Sequence, residues 1–137
     1  MSSITYIGCF FEWQDLNDGL HSYRRTPLFR AITHPHVTFA YKPTNVMRSC
    51  FGMPVTVRVI GYACDGENES LLVEFVQLPE PLTALAETIA VPHVTLSVSQ
   101  DGEPVNSRYL TYQPSEPFLL TGVFGGMDHQ HCLHLSP

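Results

Sequence analysis

The sequence lacks any hydrophobic run long enough to cross a membrane. Its longest apolar segments, such as ITYIGCFF at 4–11, fall far short of the roughly 20 residues that a transmembrane helix needs. It also lacks the basic residues followed by an apolar stretch that mark a secretory signal. These absences predict a cytoplasmic protein without a membrane partner. The 137 residues, 44% hydrophobic and 15% charged, predict one folded domain spanning 1–137.

Cysteine is scarce and scattered, with four residues and no C-x-x-C arrangement. The four positions are Cys9, Cys50, Cys64 and Cys132. This pattern predicts buried, reduced thiols in place of a disulfide framework or a zinc site.

Basic residues are also few, and their distribution is uneven. The net charge is −6, yet the segment from Gly19 to Cys64 holds six of the seven basic residues and no acidic one. An acidic protein is not expected to bind long nucleic acids, because phosphate contacts dominate that affinity. The basic segment is either an ordinary solvated charge imbalance or a locally positive face suited to phosphate groups.

Strand-forming composition dominates what is present. Six segments are rich in β-branched and aromatic residues and bounded by turn residues. They are 4–11, 36–41, 54–64, 70–78, 93–99 and 118–124. Residues 65–68, DGEN, predict a hairpin turn. Short helices are predicted within 12–33, where Gly19 and Pro27 interrupt and Thr26 caps the second piece, and at 82–90. We expect Gly125-Gly126 to end the last strand. The pattern predicts an α+β domain with a mixed or antiparallel sheet.

The tetrapeptide Pro-His-Val-Thr occurs twice, at 35–38 and 92–95. Seven His and eleven Thr in 137 residues predict about 0.6 His-x-Thr occurrences by chance, so the bare pair is weak evidence. Both copies, however, begin a predicted strand, where residues i and i+2 share a face. His36 and Thr38 should therefore project together, as should His93 and Thr95.

An imidazole next to a hydroxyl suits phosphoester cleavage without a metal. Histidine can act as acid or base near neutral pH. Threonine hydroxyls can hold phosphate oxygens as negative charge develops. Two such units across a cleft would supply a base, an acid and two phosphate ligands.

The segments HVTF and HVTL resemble the paired motifs of the 2H phosphoesterase superfamily, which includes RNA 2′,3′-cyclic phosphodiesterases and 2′-5′ RNA ligase-like proteins. The resemblance implies two pseudo-symmetric lobes of mostly antiparallel sheet with short helices around a central cleft. It also implies His36 and His93 as the general acid and base in unassigned order, Thr38 and Thr95 as phosphate ligands, and no metal or other cofactor. The expected activity is a cyclic phosphodiesterase that hydrolyses cyclic or 2′-5′-linked nucleotides.

The charge distribution favours a small nucleotide or a short RNA end as the substrate, with no obligatory protein partner. Four residues close to the motifs in sequence are candidate phosphate and base-stacking contacts. They are Tyr41, Lys42, Arg108 and Tyr109. Each is also compatible with a plain surface role.

Two alternatives stay open. A module of the same fold could bind a nucleotide or RNA without cleaving it, or a divalent metal could carry the hydrolysis. The C-terminal cluster of potential metal ligands consists of His129, His131, Cys132 and His134. It has no partner pair at metal-site spacing, and chain ends are often mobile, so we predict no metal there.

Overall fold

The computed structural model describes residues 3–20, 30–100 and 103–137. Eight strands in this part of the chain form one sheet, in which all pairings are antiparallel. The strands are β1 (Ile4–Phe10), β2 (Arg30–Ala31), β3 (His36–Tyr41), β4 (Pro54–Cys64), β5 (Asn68–Gln77), β6 (His93–Val98), β7 (Gln113–Asp128) and β8 (Leu133–His134). The helices are α1 (Trp13–Leu20) and α2 (Thr83–Glu87), with 3₁₀ turns at Arg48–Cys50, Glu80–Leu82 and Pro104–Tyr109. The predicted α+β class is confirmed, with the sheet as its dominant part.

The strand order places the two motif strands near opposite ends of the sheet. The order is β2-β6-β5-β4-β7-β1-β3, and β8 pairs with β7. Residues of β3 and β6 nevertheless approach with Cα atoms within 8 Å of each other. The sheet therefore curls, because flat strands spaced by about 4.8 Å could not bring its two ends into contact.

The core lies on one face of this curled sheet. In β4, Val55, Val57 and Val59 are all 0% exposed, whereas the intervening Arg58 pairs with Glu74 at 2.6 Å on the outer face. This alternation follows from the two-residue period of a strand. Both motif strands and α1 contribute to the same core cluster.

Three predictions about the elements need correction or limitation. Gly125-Gly126 does not end the last strand, because β7 runs on to Asp128. A Cβ at Gly125 would lie 2.4 Å from the His134 carbonyl oxygen, so glycine here permits the close approach of β8. Gly19 lies inside α1 and does not interrupt it before Leu20. The predicted helical piece with Thr26 and Pro27 lies outside the described residues.

The cysteine prediction holds for two of the four residues. Cys9 and Cys50 are buried, but Cys64 and Cys132 are exposed, so the prediction of burial is wrong for this second pair. Cys64 is the last residue of β4, where the hairpin turn begins, and Cys132 lies in the turn before β8. Turns run over the surface, and their side chains stay accessible.

The C-terminal segment pairs with the sheet through β8, which lies beyond the last predicted strand. Asp128 Oδ2 lies 2.8 Å from His134 Nε2, and Asp128 Oδ1 accepts hydrogen bonds from the backbone N–H groups of Gln130 and Cys132. The His134 hydrogen bond is the main reason that the pKa of Asp128 falls to about 2. No group of three potential metal ligands occurs among residues 3–20, 30–100 and 103–137. In the same ranges, no helix is both long and apolar enough to span a bilayer.

Candidate active site

His36 and His93 are the first residues of β3 and β6, and their imidazoles make the same local hydrogen bond. Nδ1 of His36 lies 2.8 Å from the carbonyl oxygen of His34, and Nδ1 of His93 lies 2.8 Å from that of Val91. A carbonyl oxygen can only accept, so Nδ1 carries the proton and donates in both rings. In the neutral state, Nε2 of each histidine is therefore the nitrogen with a free lone pair.

The prolines before the two histidines are held in the same way. The carbonyl oxygen of Pro35 accepts the backbone N–H of Phe11 at 2.9 Å, and that of Pro92 accepts the N–H of Val73 at 3.1 Å. A proline has no N–H, so its carbonyl oxygen is the only backbone group that can form a hydrogen bond. In both copies this bond joins the start of the motif strand to the neighbouring strand.

The two copies of the motif also share their register with the neighbouring strand. The pairs are Phe10–His36 and Gly8–Thr38 in the first copy, and Leu72–His93 and Ser70–Thr95 in the second. In both copies the residue that follows the threonine has no partner in the register of the neighbouring strand. This residue is Phe39 in β3 and Leu96 in β6. Such a bulge bends the strand locally. The repeat in the sequence is therefore also a repeat in backbone pairing.

The two imidazoles are close enough to interact electrostatically. The pKa of His36 falls to about 4, chiefly because burial disfavours the charged ring. The charges of His93 and His34 lower it further, and the hydrogen bond to the His34 carbonyl partly opposes these effects. His93 is thus near enough to His36 to lower its pKa, and the acid and base roles stay a prediction.

Arg108 lies on the His93 side of the site. The pKa of His93 is lowered first by burial and then by the positive charge of Arg108. The Arg108 guanidinium carbon lies 4.8 Å from the ring centroid of Tyr109, which is 69% exposed. Both residues belong to the 3₁₀ helix Pro104–Tyr109 that packs against β6.

The two threonines differ in their surroundings. Thr38 is half-buried in β3, and its hydroxyl has no hydrogen-bond partner within residues 3–20, 30–100 and 103–137. Thr95 is only 8% exposed, and its Oγ1 lies 2.8 Å from Oγ of the buried Ser107. Asn68 Nδ2 donates to the same Ser107 oxygen at 3.1 Å. Ser107 and Asn68, which sequence reasoning missed, therefore hold Thr95 in place.

Tyr41 and Lys42 lie at the opposite end of β3 from His36. Five residues of extended chain, at about 3.3 Å each, separate the Cα atoms of Tyr41 and His36 by about 16 Å. Tyr41 is 66% exposed, and the Lys42 amino nitrogen lies 5.7 Å from its ring centroid. A phosphate between the histidines is beyond their reach, so only a longer substrate could contact them.

Two aromatic residues that sequence reasoning missed flank His36. The ring centroid of Tyr6 lies 4.7 Å from that of His36 with planes 24° apart, and the centroid of Phe10 lies 5.2 Å from it. Gly8, between Tyr6 and Phe10 in β1, has no side chain to separate them. The two-residue period of β1 could have shown a shared face, but only the pairing of β1 with β3 directs that face toward His36.

A backbone hydrogen bond joins β6 to the segment that leads into β3. The N–H of Ile32 donates to the carbonyl oxygen of Leu96 in β6 at 2.9 Å, and the Ile32 carbonyl accepts from Trp13 Nε1 at 2.7 Å. Ile32 precedes His36 by only four residues, so this link fixes the approach of β3 to β6.

No protein-family model matches the chain, and a search of curated proteins finds no significant relative. Interpretation of the site therefore depends on its residues, their contacts and the motif resemblance.

Proposed function

We propose that the protein is a metal-independent phosphodiesterase of the 2H type. Its substrate would be a cyclic or 2′-5′-linked nucleotide phosphodiester, such as an RNA 2′,3′-cyclic phosphate end or a small cyclic or oligonucleotide. The observation that carries the proposal is the pair of strand-initial histidines, His36 and His93, which make matching Nδ1 hydrogen bonds and of which His93 lowers the pKa of His36. In this proposal the chain forms two pseudo-symmetric lobes with the phosphate in a cleft between them.

The chemistry needs only groups of this chain. One Nε2 accepts the proton of the attacking water, and the other, when protonated, gives its proton to the departing oxygen. The Thr38 and Thr95 hydroxyls and the Arg108 guanidinium stabilise the charge that builds on the non-bridging oxygens. Both imidazoles are half-buried, which strengthens these interactions because water screens them less.

A small substrate agrees with the positions of the charges. Arg108 influences His93 directly, whereas Lys42 lies at the far end of β3 and Arg58 is paired with Glu74 on the outer face. A single phosphate group near Arg108 would pair with its guanidinium beside His93. A net charge of −6 disfavours a long RNA, whose affinity depends on many phosphate contacts.

A non-catalytic nucleotide-binding module is the second candidate. Thr95 is already hydrogen-bonded to Ser107, and the lowered pKa values keep both imidazoles mostly neutral at pH 7. Neutral rings could serve as hydrogen-bond partners for a nucleotide without transferring a proton.

The deciding experiment assays the purified protein in excess EDTA. The panel contains 2′,3′-cyclic nucleotides, RNA with a cyclic phosphate end, 2′-5′ oligoadenylate and cyclic oligonucleotides. We expect turnover of at least one of them, and losses of about 10²–10⁴-fold in His36→Ala and His93→Ala with substrate binding retained. His129→Ala, at an exposed histidine in the C-terminal turn, is the matched control and should keep full activity. A wild-type protein that binds nucleotides but cleaves none would favour the binding module, and loss of activity in EDTA would favour a metal hydrolase.

A further inference from the structure

The 3₁₀ helix Pro104–Tyr109, which follows β6 in the chain, is joined to β5 by a single buried amide. Asn68, the first residue of β5, is only 1% exposed. Its Nδ2 donates to the carbonyl oxygen of Glu103 at 2.6 Å and to Oγ of Ser107 at 3.1 Å. Glu103 directly precedes the helix, and Ser107 lies in its second half. One side chain therefore holds the helix at its start and again near its end.

The orientation of this amide is set by its neighbours. A carbonyl oxygen can only accept a hydrogen bond, so the NH₂ group of Asn68, and not its oxygen, must face Glu103. The backbone of Asn68 is held as well, because its N–H donates to Asp65 Oδ1 at 2.8 Å and its carbonyl oxygen accepts the Asp65 N–H at 3.2 Å. Asn68 is therefore a fixed double donor at the start of β5.

Tyr112 holds the end of the same helix through the backbone of Ser107. Its hydroxyl donates to the carbonyl oxygen of Ser107 at 2.8 Å and lies 3.0 Å from Oγ of Ser70. Ser70 Oγ donates in turn to the Val94 carbonyl oxygen in β6 at 2.9 Å. Burial raises the pKa of Tyr112 to about 12, so its hydroxyl keeps the proton that it donates. The side chain and the carbonyl of Ser107, the residue before Arg108, are thus both bound.

Arg108 depends on this helix for its position. Its side chain is exposed, and within residues 3–20, 30–100 and 103–137 no carboxylate forms an ion pair with it. Its guanidinium contacts the ring of the next residue, Tyr109, which belongs to the same helix. The charge of Arg108 nevertheless reaches His93, whose pKa is lowered first by burial and then by this charge. The helix backbone therefore determines how close the guanidinium lies to His93.

We propose that Asn68 and Tyr112 are positioning residues, which hold the 3₁₀ helix Pro104–Tyr109 so that the Arg108 guanidinium stays beside His93 and can bind a phosphate oxygen. Neither residue needs to touch the substrate, because both act through Arg108. The binding of phosphate rests on the proposed function and deepens it, whereas the placement of Arg108 beside His93 does not depend on it. A cation that is already in place binds an anion with a smaller loss of conformational entropy.

The NMR titration of the His93 ring tests this positioning without any substrate. It is measured in wild type, Asn68→Ala, Arg108→Gln and the double variant. Asn45→Ala is the matched control, because Asn45 Oδ1 accepts the N–H of Met47 in the loop after β3. We expect Arg108→Gln to raise the pKa of His93, since a neutral amide no longer disfavours the charged ring. Asn68→Ala should raise it in the same direction, the double variant should match Arg108→Gln alone, and Asn45→Ala should match wild type.

The double variant separates positioning of Arg108 from a general loosening of the site. If Asn68→Ala raises the pKa of His93 further when Arg108 is already glutamine, it acts through the burial of His93 and the proposal is wrong. A folded Asn68→Ala that titrates like wild type would also overturn it. Tyr112→Phe, which removes only the hydroxyl, gives the same measurement if Asn68→Ala does not fold.

Turnover tests the link to the phosphate. On any member of the nucleotide panel that is cleaved, Asn68→Ala should raise KM toward the increase of about 10-fold expected of Arg108→Ala. The variant that combines both substitutions should raise KM no further than Arg108→Ala does. An unchanged KM in Asn68→Ala, beside a raised KM in Arg108→Ala, would show that the two positioning residues do not serve phosphate binding. If no member of the panel is cleaved, the proposed function fails, and the titration still decides whether Asn68 positions Arg108.

Discussion

Replacing Gly8 with alanine would test the close approach of β1 to the first motif strand. A Cβ at this position would lie 2.2 Å from the carbonyl oxygen of Val37 and 3.2 Å from Cα of Thr38. Both neighbours are backbone atoms, so no side-chain rotation can relieve the clash. Gly8 is not among the glycines with positive φ, and alanine therefore adds no conformational strain of its own.

The size of the effect follows from these distances. Restoring ordinary contact requires β1 and β3 to separate by about 1 Å. Overpacking of this kind costs about 1–3 kcal/mol of unfolding free energy, and the stiffer unfolded chain offsets about 0.4–1 kcal/mol of it. We expect a net loss of about 1–2 kcal/mol. A displacement of about 1 Å at a reacting group can lower turnover about 10²-fold, and Thr38 and His36 lie on the displaced strand.

Urea denaturation and turnover are measured together in Gly8→Ala and in Gly125→Ala. The second variant is matched, because its Cβ would lie 2.4 Å from the carbonyl oxygen of His134. That clash involves β8, a two-residue strand near the chain end. This strand can shift without moving His36 or His93. Gly125→Ala should therefore lose stability but keep its turnover. Wild-type stability and turnover in Gly8→Ala would refute the close approach of β1 to β3.

Three further predictions concern acid stability, the C-terminal turn and phosphate binding. The pKa of His36 is about 4 in the folded protein, against an ordinary value of 6.5. The fold therefore favours the neutral ring, which contributes up to about 3 kcal/mol of stability above pH 6.5. This contribution is lost as the pH falls toward 4. His36→Gln should show a shallower fall in urea midpoint over this range, and an unchanged slope would contradict the assignment. Asp128→Ala should speed hydrogen exchange of the Cys132 amide, which donates to Asp128 Oδ1, with turnover intact; unchanged exchange would show that this bond does not hold the turn. Arg108→Ala should raise KM about 10-fold while Lys42→Ala leaves it unchanged, and the opposite result would mean that the phosphate is bound near the far end of β3.

Local sequence pattern was sufficient for the motif strands but not for the end of β7. Residues 36–41 and 93–99 carry β-branched and aromatic residues between turn residues, and β3 and β6 match them within one residue. The continuation of β7 through Gly125 and Gly126 depends on β8 and Phe51 packing close to their backbone. Glycine in a sequence signals a turn or a close approach equally well, and only the neighbours in space distinguish the two.

The candidate site was predictable where its geometry is local. The shared face of His36 and Thr38 follows from the strand period. The stacking of Tyr6 on His36 depends on strand order, which pairs β1 with β3 across about 30 residues of chain, and no local pattern reports this. Proximity in sequence also misled, because an extended strand carries Tyr41 away from the histidine that precedes it by five residues.

The link through Ile32 gives the protein a built-in optical probe. Trp13 is the only tryptophan in the chain, and its indole N–H donates to the carbonyl oxygen of Ile32, whose own N–H bonds β6 in the segment that leads into β3. Indole emission responds to the loss of such a hydrogen bond and to entry of water. Without any label, the intrinsic fluorescence of this protein should therefore report whether the two motif strands stay together, during unfolding or when a nucleotide binds between them.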